Sequence, residues 1–403
     1  MDMNSSMKQG NGFDFDEILD RRSTESFKWR EYPEDVLPLF VADMDFRSPP
    51  PVARALRQYI GQGVFGYPRG LHTFDLTELP ELPLLVAGRM GRRYGWEIHA
   101  EDVVLVPGVV PALSLATHAV ESEGGAVLVQ VPVYPPILAA PGKAHLRRQE
   151  AELLRQSDGN YAIDWDRFMS AISADTRMFL LCNPHNPVGR AFRRDELTRM
   201  AEICLSRNII ICSDEIHSDL LFNGREHVPV ASLAPEIAQR TITLIAPSKT
   251  FNLAGLQCGF AIIQNEELRR RFQAAREGLT PWVNVMGLIG AEAAYREGQP
   301  WLDALIPYLE ANRDFLVDFV RDEMPRIRIT KPEATYLAWL DCRELGVGNP
   351  FEFFLKHARV ALNPGPTFGR GGDGFVRLNF GCPRAILQEA LHRMRTALGS
   401  STG

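Results

Sequence analysis

The 403-residue chain lacks any cysteine or histidine pattern that would hold a metal or build a disulfide framework. Its six cysteines are scattered without a CxxC pair, and its nine histidines are equally dispersed, so a zinc site is not expected. Four cysteines lie in apolar runs and are predicted to be buried free thiols. These are Cys182, Cys204, Cys212 and Cys258.

The chain also lacks long apolar runs and an excess of positive charge. No stretch is long enough to span a bilayer, and residues 1–12 lack the apolar core of a signal peptide. The net charge of −6, with mixed signs, gives no reason to expect nucleic acid or a membrane as a partner. The length and the ordinary composition therefore predict a globular protein of two domains in the cytoplasm.

Short apolar segments alternate with helical patterns through the middle of the chain. Near-continuous runs of valine, isoleucine and leucine are typical of strands buried on both faces of a parallel sheet. We predict such strands at residues 103–106, 126–131, 178–182, 208–213, 241–245 and 257–263. Helices are predicted between them, at residues 111–121 and 194–206 among others.

The last hundred residues have a different pattern. Residues 302–323 form a long amphipathic helical pattern, which short strands and a final helix follow. The strands are predicted at 326–329, 336–340 and 375–379, and the helix at 384–398. This arrangement indicates a small C-terminal α+β domain.

The most informative stretch is Ala-Pro-Ser-Lys-Thr-Phe-Asn-Leu-Ala-Gly-Leu, at residues 246–256. Lys249 lies there between Ser248 and Thr250, at the end of one strand and before another. A lysine alone is more often a solvated surface charge, but at such an edge it can form a Schiff base with an aldehyde cofactor.

Two further stretches contain chemically informative residues. Asp214 ends an apolar strand, where a carboxylate is costly to bury without a cation; a protonated pyridine nitrogen would be such a partner, although a strand cap is the simpler interpretation. Gly108, Val109 and Val110 precede a helix, whose free N–H groups and dipole suit a phosphate. An ordinary strand-to-helix turn is the alternative there.

Together, the motifs of this chain resemble those of the fold-type I pyridoxal phosphate enzymes, aminotransferase class I/II. In detail, the residues of these motifs resemble those of the MalY/PatB group of cystathionine β-lyase-like carbon–sulfur lyases, which includes cystalysin. The resemblance extends from about Phe13 to Leu398. The segments that carry it are 41–46, 108–113, 131–136, 183–189, 214–217 and 248–256.

This resemblance implies an α/β fold with two domains. Residues 48–299 would form a large cofactor-binding domain with a mostly parallel sheet, and residues 300–403 the small α+β C-terminal domain. Residues 13–47 would pack on the small domain. The first 12 residues and residues 400–403 are expected to be disordered.

The resemblance also implies roles for individual residues around pyridoxal 5'-phosphate. Lys249 would form the Schiff base and then move the α-proton of the substrate. Asp214 would hold the pyridine nitrogen, and Asn186, in the turn Asn-Pro-His-Asn-Pro, would donate to the phenolic oxygen. Tyr134 would stack on the ring and handle a proton near the leaving group. The simpler interpretations are a turn-forming asparagine and a buried loop tyrosine.

Further residues would bind the phosphate and the substrate. Gly108, Val109 and Val110, with the hydroxyl of Ser248, are expected at the phosphate. Tyr67 resembles the tyrosine that reaches across a homodimer interface to the partner's phosphate, which would make the active site shared; an interface or core aromatic is the alternative. Arg377 resembles the arginine that binds the substrate α-carboxylate in a bidentate fork.

Two positions favour the lyase branch of the family over a generic aminotransferase. Many class I aminotransferases carry a phosphate-binding arginine at the position of Gln257, where the MalY-like branch commonly has glutamine. Many relatives place a tyrosine three residues after Asp214 to bind the phenolic oxygen, whereas this chain has His217 at that cofactor position.

Three other segments have patterns that could bear on function. Residues 71–89 depart from the family pattern and contain two prolines, which would form either a lid or a neutral insertion. Residues 369–374 match G-x-G-x-x-G but precede a strand, so we interpret them as a turn and not as a dinucleotide site. Residues 363–368 form a rigid loop near the expected mouth of the active site.

The sequence therefore predicts a pyridoxal phosphate-dependent β-lyase that cleaves an S-substituted, cystathionine-like L-cysteine to a thiol, pyruvate and ammonia. An aminotransferase of the same fold shares most of these residues. A pyridoxal phosphate-binding regulator without turnover is a further alternative, although the chain has no basic patch or helix-turn-helix pattern.

Overall fold

The computed structural model of the protein describes residues 12–68 and 81–399. Its strands are β1 Leu37–Pro38, β2 Val103–Val106, β3 Ala126–Val131, β4 Arg147–Glu152, β5 Leu154–Arg155, β6 Tyr161–Ala162, β7 Thr176–Cys182, β8 Ile210–Asp214, β9 Thr241–Ile245, β10 Gly259–Ile262, β11 Arg328–Ile329, β12 Leu337–Asp341, β13 Val360–Ala361, β14 Asn363–Pro364 and β15 Phe375–Asn379. Its helices are α1 Phe27–Arg30, α2 Pro50–Ile60, α3 Glu81–Tyr94, α4 Val109–His118, α5 Pro135–Lys143, α6 Trp165–Ser170, α7 Arg194–Ser206, α8 Pro235–Ala238, α9 Pro247–Thr250, α10 Glu266–Ala274, α11 Val285–Glu297, α12 Gln299–Glu323, α13 Pro350–Phe353 and α14 Arg384–Gly399.

A seven-stranded sheet in the order β2-β10-β9-β8-β7-β3-β4 forms the centre of the molecule. Strand β10 is antiparallel to both neighbours, and the other pairs are parallel. All six strands predicted in the middle of the chain belong to this sheet. The sequence analysis missed β4 because its segment Arg-Arg-Gln-Glu-Ala-Glu has no apolar run; β4 lies at the sheet edge and is partly exposed.

Both faces of the sheet are covered, which explains why its strands are so apolar. Alternate residues of β3 point to opposite faces. Val127 and Val129 pack in one buried cluster with α4, α5 and α10, while Leu128 packs in another with α6 and α7. Because alternate side chains of the strand enter two different apolar environments, neither face of the strand is polar.

The carboxyl ends of six strands meet at one edge of this sheet. Strands β2, β3, β4, β7, β8 and β9 have the same direction, so the loops that follow them lie side by side. In open α/β sheets, ligands bind at this edge. The loops contain residues 107–110, 132–134, 183–189, 215–217 and 246–249.

The C-terminal part contains a separate antiparallel sheet in the order β11-β12-β15-β14, with α12 and α14 in the same buried cluster. The N-terminal segment contacts this part, since β1 pairs in parallel with β13, Leu37 opposite Val360. The domain boundaries after residues 47 and 299 remain a prediction.

Several further predictions concern local structure. The described cysteines are free and buried, as predicted for Cys182, Cys204, Cys212 and Cys258. Residues 81–89 lie in α3, while 71–80, 1–11 and 400–403 lie outside the described residues. None of the helices in the described ranges is both long and apolar enough to cross a bilayer.

Candidate active site

Lys249 lies in the short helix α9, which begins directly after β9. Its Nζ donates a hydrogen bond to the carbonyl oxygen of Ala42 over 2.6 Å. Burial lowers the pKa of this amine to about 8; the charge of Arg377 lowers it as well, while those of Asp43 and Asp214 act in the opposite direction. An amine with such a pKa is available as a neutral base near pH 8.

Asp214 is the last residue of β8 and is buried. Its Oδ1 accepts a hydrogen bond from the backbone N–H of Ile216 over 3.2 Å. Burial raises the pKa of this carboxyl group to about 7, against the effects of that hydrogen bond and of the Lys249 charge. No arginine, lysine or histidine of the described residues forms an ion pair with it, so a cationic ring nitrogen would fit this position.

Arg377, on β15, contacts three separate segments of the chain. Its Nη1 donates to Asn186 Oδ1 over 3.0 Å, and its Nη2 donates to the Phe40 carbonyl and to Asn363 Oδ1, each over 2.9 Å. The guanidinium lies 5.0 Å from the Phe368 ring centroid. Its Nε is buried and has no hydrogen-bond partner within the described ranges, which leaves a donor for a ligand.

Tyr134 and His217 flank this cluster. The backbone N–H of Tyr134 donates to the Asn186 carbonyl over 3.1 Å, and burial raises the pKa of its hydroxyl. His217 is buried, and burial, with the charges of Lys249 and Arg377, lowers the pKa of its imidazole. Its Nδ1 has no partner in the part of the chain that the structure describes, and its ring meets the edge of Tyr336 at 5.9 Å.

The start of α4 forms a candidate anion position at the same sheet edge. Gly108 precedes α4 with φ +111°, a conformation that favours glycine. Gly259 of β10 packs against this turn, where a Cβ would lie 3.3 Å from the Ile245 carbonyl oxygen and 3.4 Å from Gly108 Cα. The N–H groups of Val109 and Val110 belong to the first helical turn, where intrahelical acceptors are missing. Ser248, next to Lys249, is half-buried.

Two predicted residues lie apart from this cluster. Tyr67 is 90% exposed, and Val64 and Phe65 are exposed beside it. Gln257 is exposed and has φ +51°. The glycine-rich residues 369–374 precede β15 directly and no helix follows them, so the structure agrees with the interpretation of this stretch as a turn.

Two residues that bind the backbone of residues 42–44 were not predicted from the sequence. Tyr336 is buried, and its hydroxyl donates to the Ala42 carbonyl over 2.8 Å. Asn252, with φ +58°, binds the backbone of Met44 through both its amide nitrogen and its oxygen. The sequence around these two residues gives no indication of these contacts, although Asn252 lies within the motif that contains Lys249.

Comparison with known proteins agrees with this geometry. The family model of aminotransferase class I and II matches residues 34–394, and the chain belongs to this family. The chain is 41% identical to the cystathionine beta-lyase PatB of Bacillus subtilis over 95% of this chain and 99% of the relative.

Two solved structures have the same fold. OvoB superimposes with a TM-score of 0.90 at 43% identity, covering 96% of this chain and 100% of the other. Cystalysin from Treponema denticola, whose crystal structure contains pyridoxal 5'-phosphate, superimposes with a TM-score of 0.90 at 33% identity, covering 96% and 99%. The predicted fold class and the resemblance to the MalY/PatB group are confirmed.

Proposed function

We propose that the protein is a pyridoxal phosphate-dependent carbon–sulfur β-lyase that converts an S-substituted L-cysteine to a thiol, pyruvate and ammonia. The observation that carries this proposal is full-length similarity to a cystathionine beta-lyase, in a chain that places Lys249, Asp214 and Arg377 around one sheet edge. Within this class of substrates, we propose that the substituent on the sulfur is cystathionine-like.

The described residues fit the cofactor. Asp214 offers an unpaired buried carboxylate to a pyridine nitrogen, and Lys249 offers an amine of lowered pKa to an aldehyde. Asn186 and His217 would lie near the phenolic oxygen, Tyr134 would stack on the ring, and the phosphate would be held by the residues at the start of α4 with Ser248. When bound, pyridoxal phosphate provides an electron sink for the negative charge that develops at the substrate α-carbon.

The residues of this chain then have separable tasks. Arg377 orients the substrate by binding its carboxylate, which fixes the α-carbon relative to Lys249. Lys249 Nζ, as a neutral amine, takes the α-proton and becomes an ammonium group. The carbon–sulfur bond breaks as the thiolate leaves and is protonated, and Tyr134 is the nearby hydroxyl proposed to donate. Water then hydrolyses the three-carbon remnant to pyruvate and ammonia.

We also propose a homodimer with a shared active site and a cytoplasmic location. The exposure of Tyr67, together with Val64 and Phe65, supports an interface at residues 64–67, because apolar side chains exposed next to each other often mark association surfaces. Tyr67 would then reach the phosphate bound by the partner.

Product analysis tests the activity directly. The purified protein, loaded with pyridoxal phosphate, is given L-cystathionine or an S-alkyl-L-cysteine without a keto acid, and products are followed by mass spectrometry. We expect continuous release of pyruvate and free thiol. A single stoichiometric burst that leaves pyridoxamine phosphate would identify an aminotransferase, and a biological function that survives Lys249→Ala would indicate a binding role.

A further inference from the structure

The segment after β1 lies against Lys249 and is held by the side chains of Tyr336, which directly precedes β12, and of Asn379 in β15. The Ala42 carbonyl oxygen accepts two hydrogen bonds, from Lys249 Nζ over 2.6 Å and from the Tyr336 hydroxyl over 2.8 Å. Asn379 Nδ2 donates to the carbonyl oxygens of the residues on both sides of Ala42. The direction of the Ala42 carbonyl is therefore fixed by bonds to its neighbours.

Asp43 follows Ala42 directly in the chain, and its carboxylate faces Arg21 and Lys28. Its Oδ2 pairs with Arg21 over 2.8 Å, while its Oδ1 is buried and has no hydrogen-bond partner among the described residues. The nearby Lys28 Nζ lies 3.8 Å from that Oδ1, which is beyond hydrogen-bond distance. Asp43 therefore pairs with Arg21 through one oxygen and lies within ion-pair distance of Lys28 through the other.

The charge of Asp43 acts on both groups that share the carbonyl. Burial has the largest effect, lowering the pKa of Lys249 and raising that of Tyr336. The charge of Asp43 comes next in each case and raises the pKa of both groups. Its effect on Lys249 exceeds that of Asp214, the carboxylate assigned to the cofactor.

We propose that the Ala42 carbonyl and Asp43 form the acceptor site for the Lys249 amine whenever this amine is not attached to the cofactor. Asp43 and Tyr336 are then positioning residues that act on Lys249, Tyr336 through the shared carbonyl. The inference rests on the proposed role of Lys249 as the lysine that binds the cofactor.

The chemistry of an amine that alternates between base and ammonium requires such a site. The ammonium formed when Lys249 takes the α-proton has three N–H donors and no acceptor, and burial disfavours its charge. The Ala42 carbonyl accepts one hydrogen, and Asp43 supplies the opposite charge.

The other charged or titratable groups near Lys249 do not replace Asp43. Arg377 lowers the pKa of Lys249, and burial, with the charges of Lys249 and Arg377, lowers the pKa of His217. Asp214 would pair with the pyridine nitrogen once pyridoxal phosphate binds. Among the described groups whose charge acts on Lys249, Asp43 is then the remaining carboxylate, and it also pairs with Arg21 and Lys28.

The test measures the protonation of Lys249 directly, in the full-length protein stripped of cofactor. Lysines are labelled by reductive methylation across a pH series, and the peptide that contains Lys249 is quantified by mass spectrometry. We expect Asp43→Asn to lower the midpoint of labelling by about one pH unit, a tenfold change, because an opposite charge is lost. We expect Tyr336→Phe to raise it, because the Ala42 carbonyl then serves Lys249 alone.

A matched control separates this effect from general loss of structure. Tyr161 is another buried tyrosine, whose hydroxyl oxygen accepts from Trp339 Nε1 over 3.2 Å, and Tyr161→Phe should leave the midpoint unchanged. In the loaded enzyme, the pH midpoint of the cofactor absorbance should move downwards in Asp43→Asn as well.

Several outcomes would overturn the proposal. They are an unchanged or raised midpoint in Asp43→Asn, shifts of the same sign in both site variants, or an equal shift in Tyr161→Phe. If circular dichroism shows Asp43→Asn to be unfolded, the comparison of Tyr336→Phe with Tyr161→Phe decides. Because labelling requires no turnover, this result is independent of the product assay for lyase activity.

Discussion

Arg377 Nη1 donates to Asn186 Oδ1 over 3.0 Å, so the residue proposed to bind the substrate carboxylate contacts the residue proposed to bind the phenolic oxygen of the cofactor. The two residues are 191 positions apart in sequence and lie on β15 and in the loop after β7. One hydrogen bond therefore joins the proposed cofactor position at the central sheet to the proposed substrate position on the C-terminal sheet.

Arg377→Lys should raise KM for an S-alkyl-L-cysteine by about 10- to 100-fold, because losing one charge-assisted hydrogen bond costs about 1.5–3 kcal/mol. An ammonium cannot reproduce the planar fork. Steady-state kinetics measure this change. Arg313→Lys is a suitable control, since Arg313 is also fully buried but binds Asn223 and Pro332 outside the site. The control should lower the melting temperature and leave KM unchanged; an equal rise in KM in both variants would contradict the assignment.

Lys249→Ala should reduce the rate of pyruvate formation by at least about 10³-fold, because the variant loses both the covalent attachment of the cofactor and the base. Borohydride reduction followed by peptide mass spectrometry should find the cofactor on Lys249 in the wild type and on no lysine in the variant. Lys143→Ala, at an exposed position of α5, should retain both properties. Attachment to another lysine in the wild type would show that the assignment is wrong.

Asp214 should make the stability of the cofactor-free protein fall between about pH 4 and pH 7. Below that window the carboxyl group is protonated in both states. Within it the unfolded chain releases the proton, while burial keeps it on the folded chain up to a pKa of about 7, so unfolding becomes easier as pH rises. Thermal melts should show that Asp214→Asn removes this part of the pH dependence.

A control of opposite sign accompanies this experiment. In Asp341, burial acts to raise the pKa, but hydrogen bonds from Arg343 together with the charges of Arg155 and Arg343 hold the pKa below its ordinary value. The stability that this carboxylate provides is present at neutral pH and is lost on acidification. Asp341→Asn should therefore destabilise the protein near pH 7 and have little effect in acid. If the melting temperatures of the cofactor-free wild type and of Asp214→Asn changed with pH in parallel, this would rule out an unpaired Asp214.

Mixing two inactive variants tests the shared active site. In a dimer whose sites combine Lys249 of one subunit with Tyr67 of the other, random pairing of Lys249→Ala with Tyr67→Ala subunits leaves about a quarter of the sites intact. The mixture, after denaturation and refolding together, should regain activity in that proportion. Mixing Lys249→Ala with the double variant should restore nothing; equal activities in the two mixtures would mean that Tyr67 does not act across an interface.

The sequence predicted the central sheet and most of the site because their signals are local. Apolar runs identified its inner strands, and motif residues at the carboxyl ends of those strands fell at one edge. Tyr336 and Ala42 could not be found in this way, because their relation to Lys249 exists only after β12 and the segment beyond β1 are brought together. Strand β4 was not predicted for a similar reason. Its residues are charged and partly exposed, and only its pairing with β3 makes it a strand.

The hydrogen bonds of Arg377 and Asn379 to the backbone of residues 40–43 tie the N-terminal segment, residues 13–47, to the candidate site. This segment adds no strand to the seven-stranded sheet, but Leu39, Met44 and Phe46 pack in a large buried cluster. Disturbing it would therefore remove buried contacts and also misplace the oxygen that receives the Lys249 amine. Fusion partners or cleavage near this end of the chain would weaken folding and turnover together.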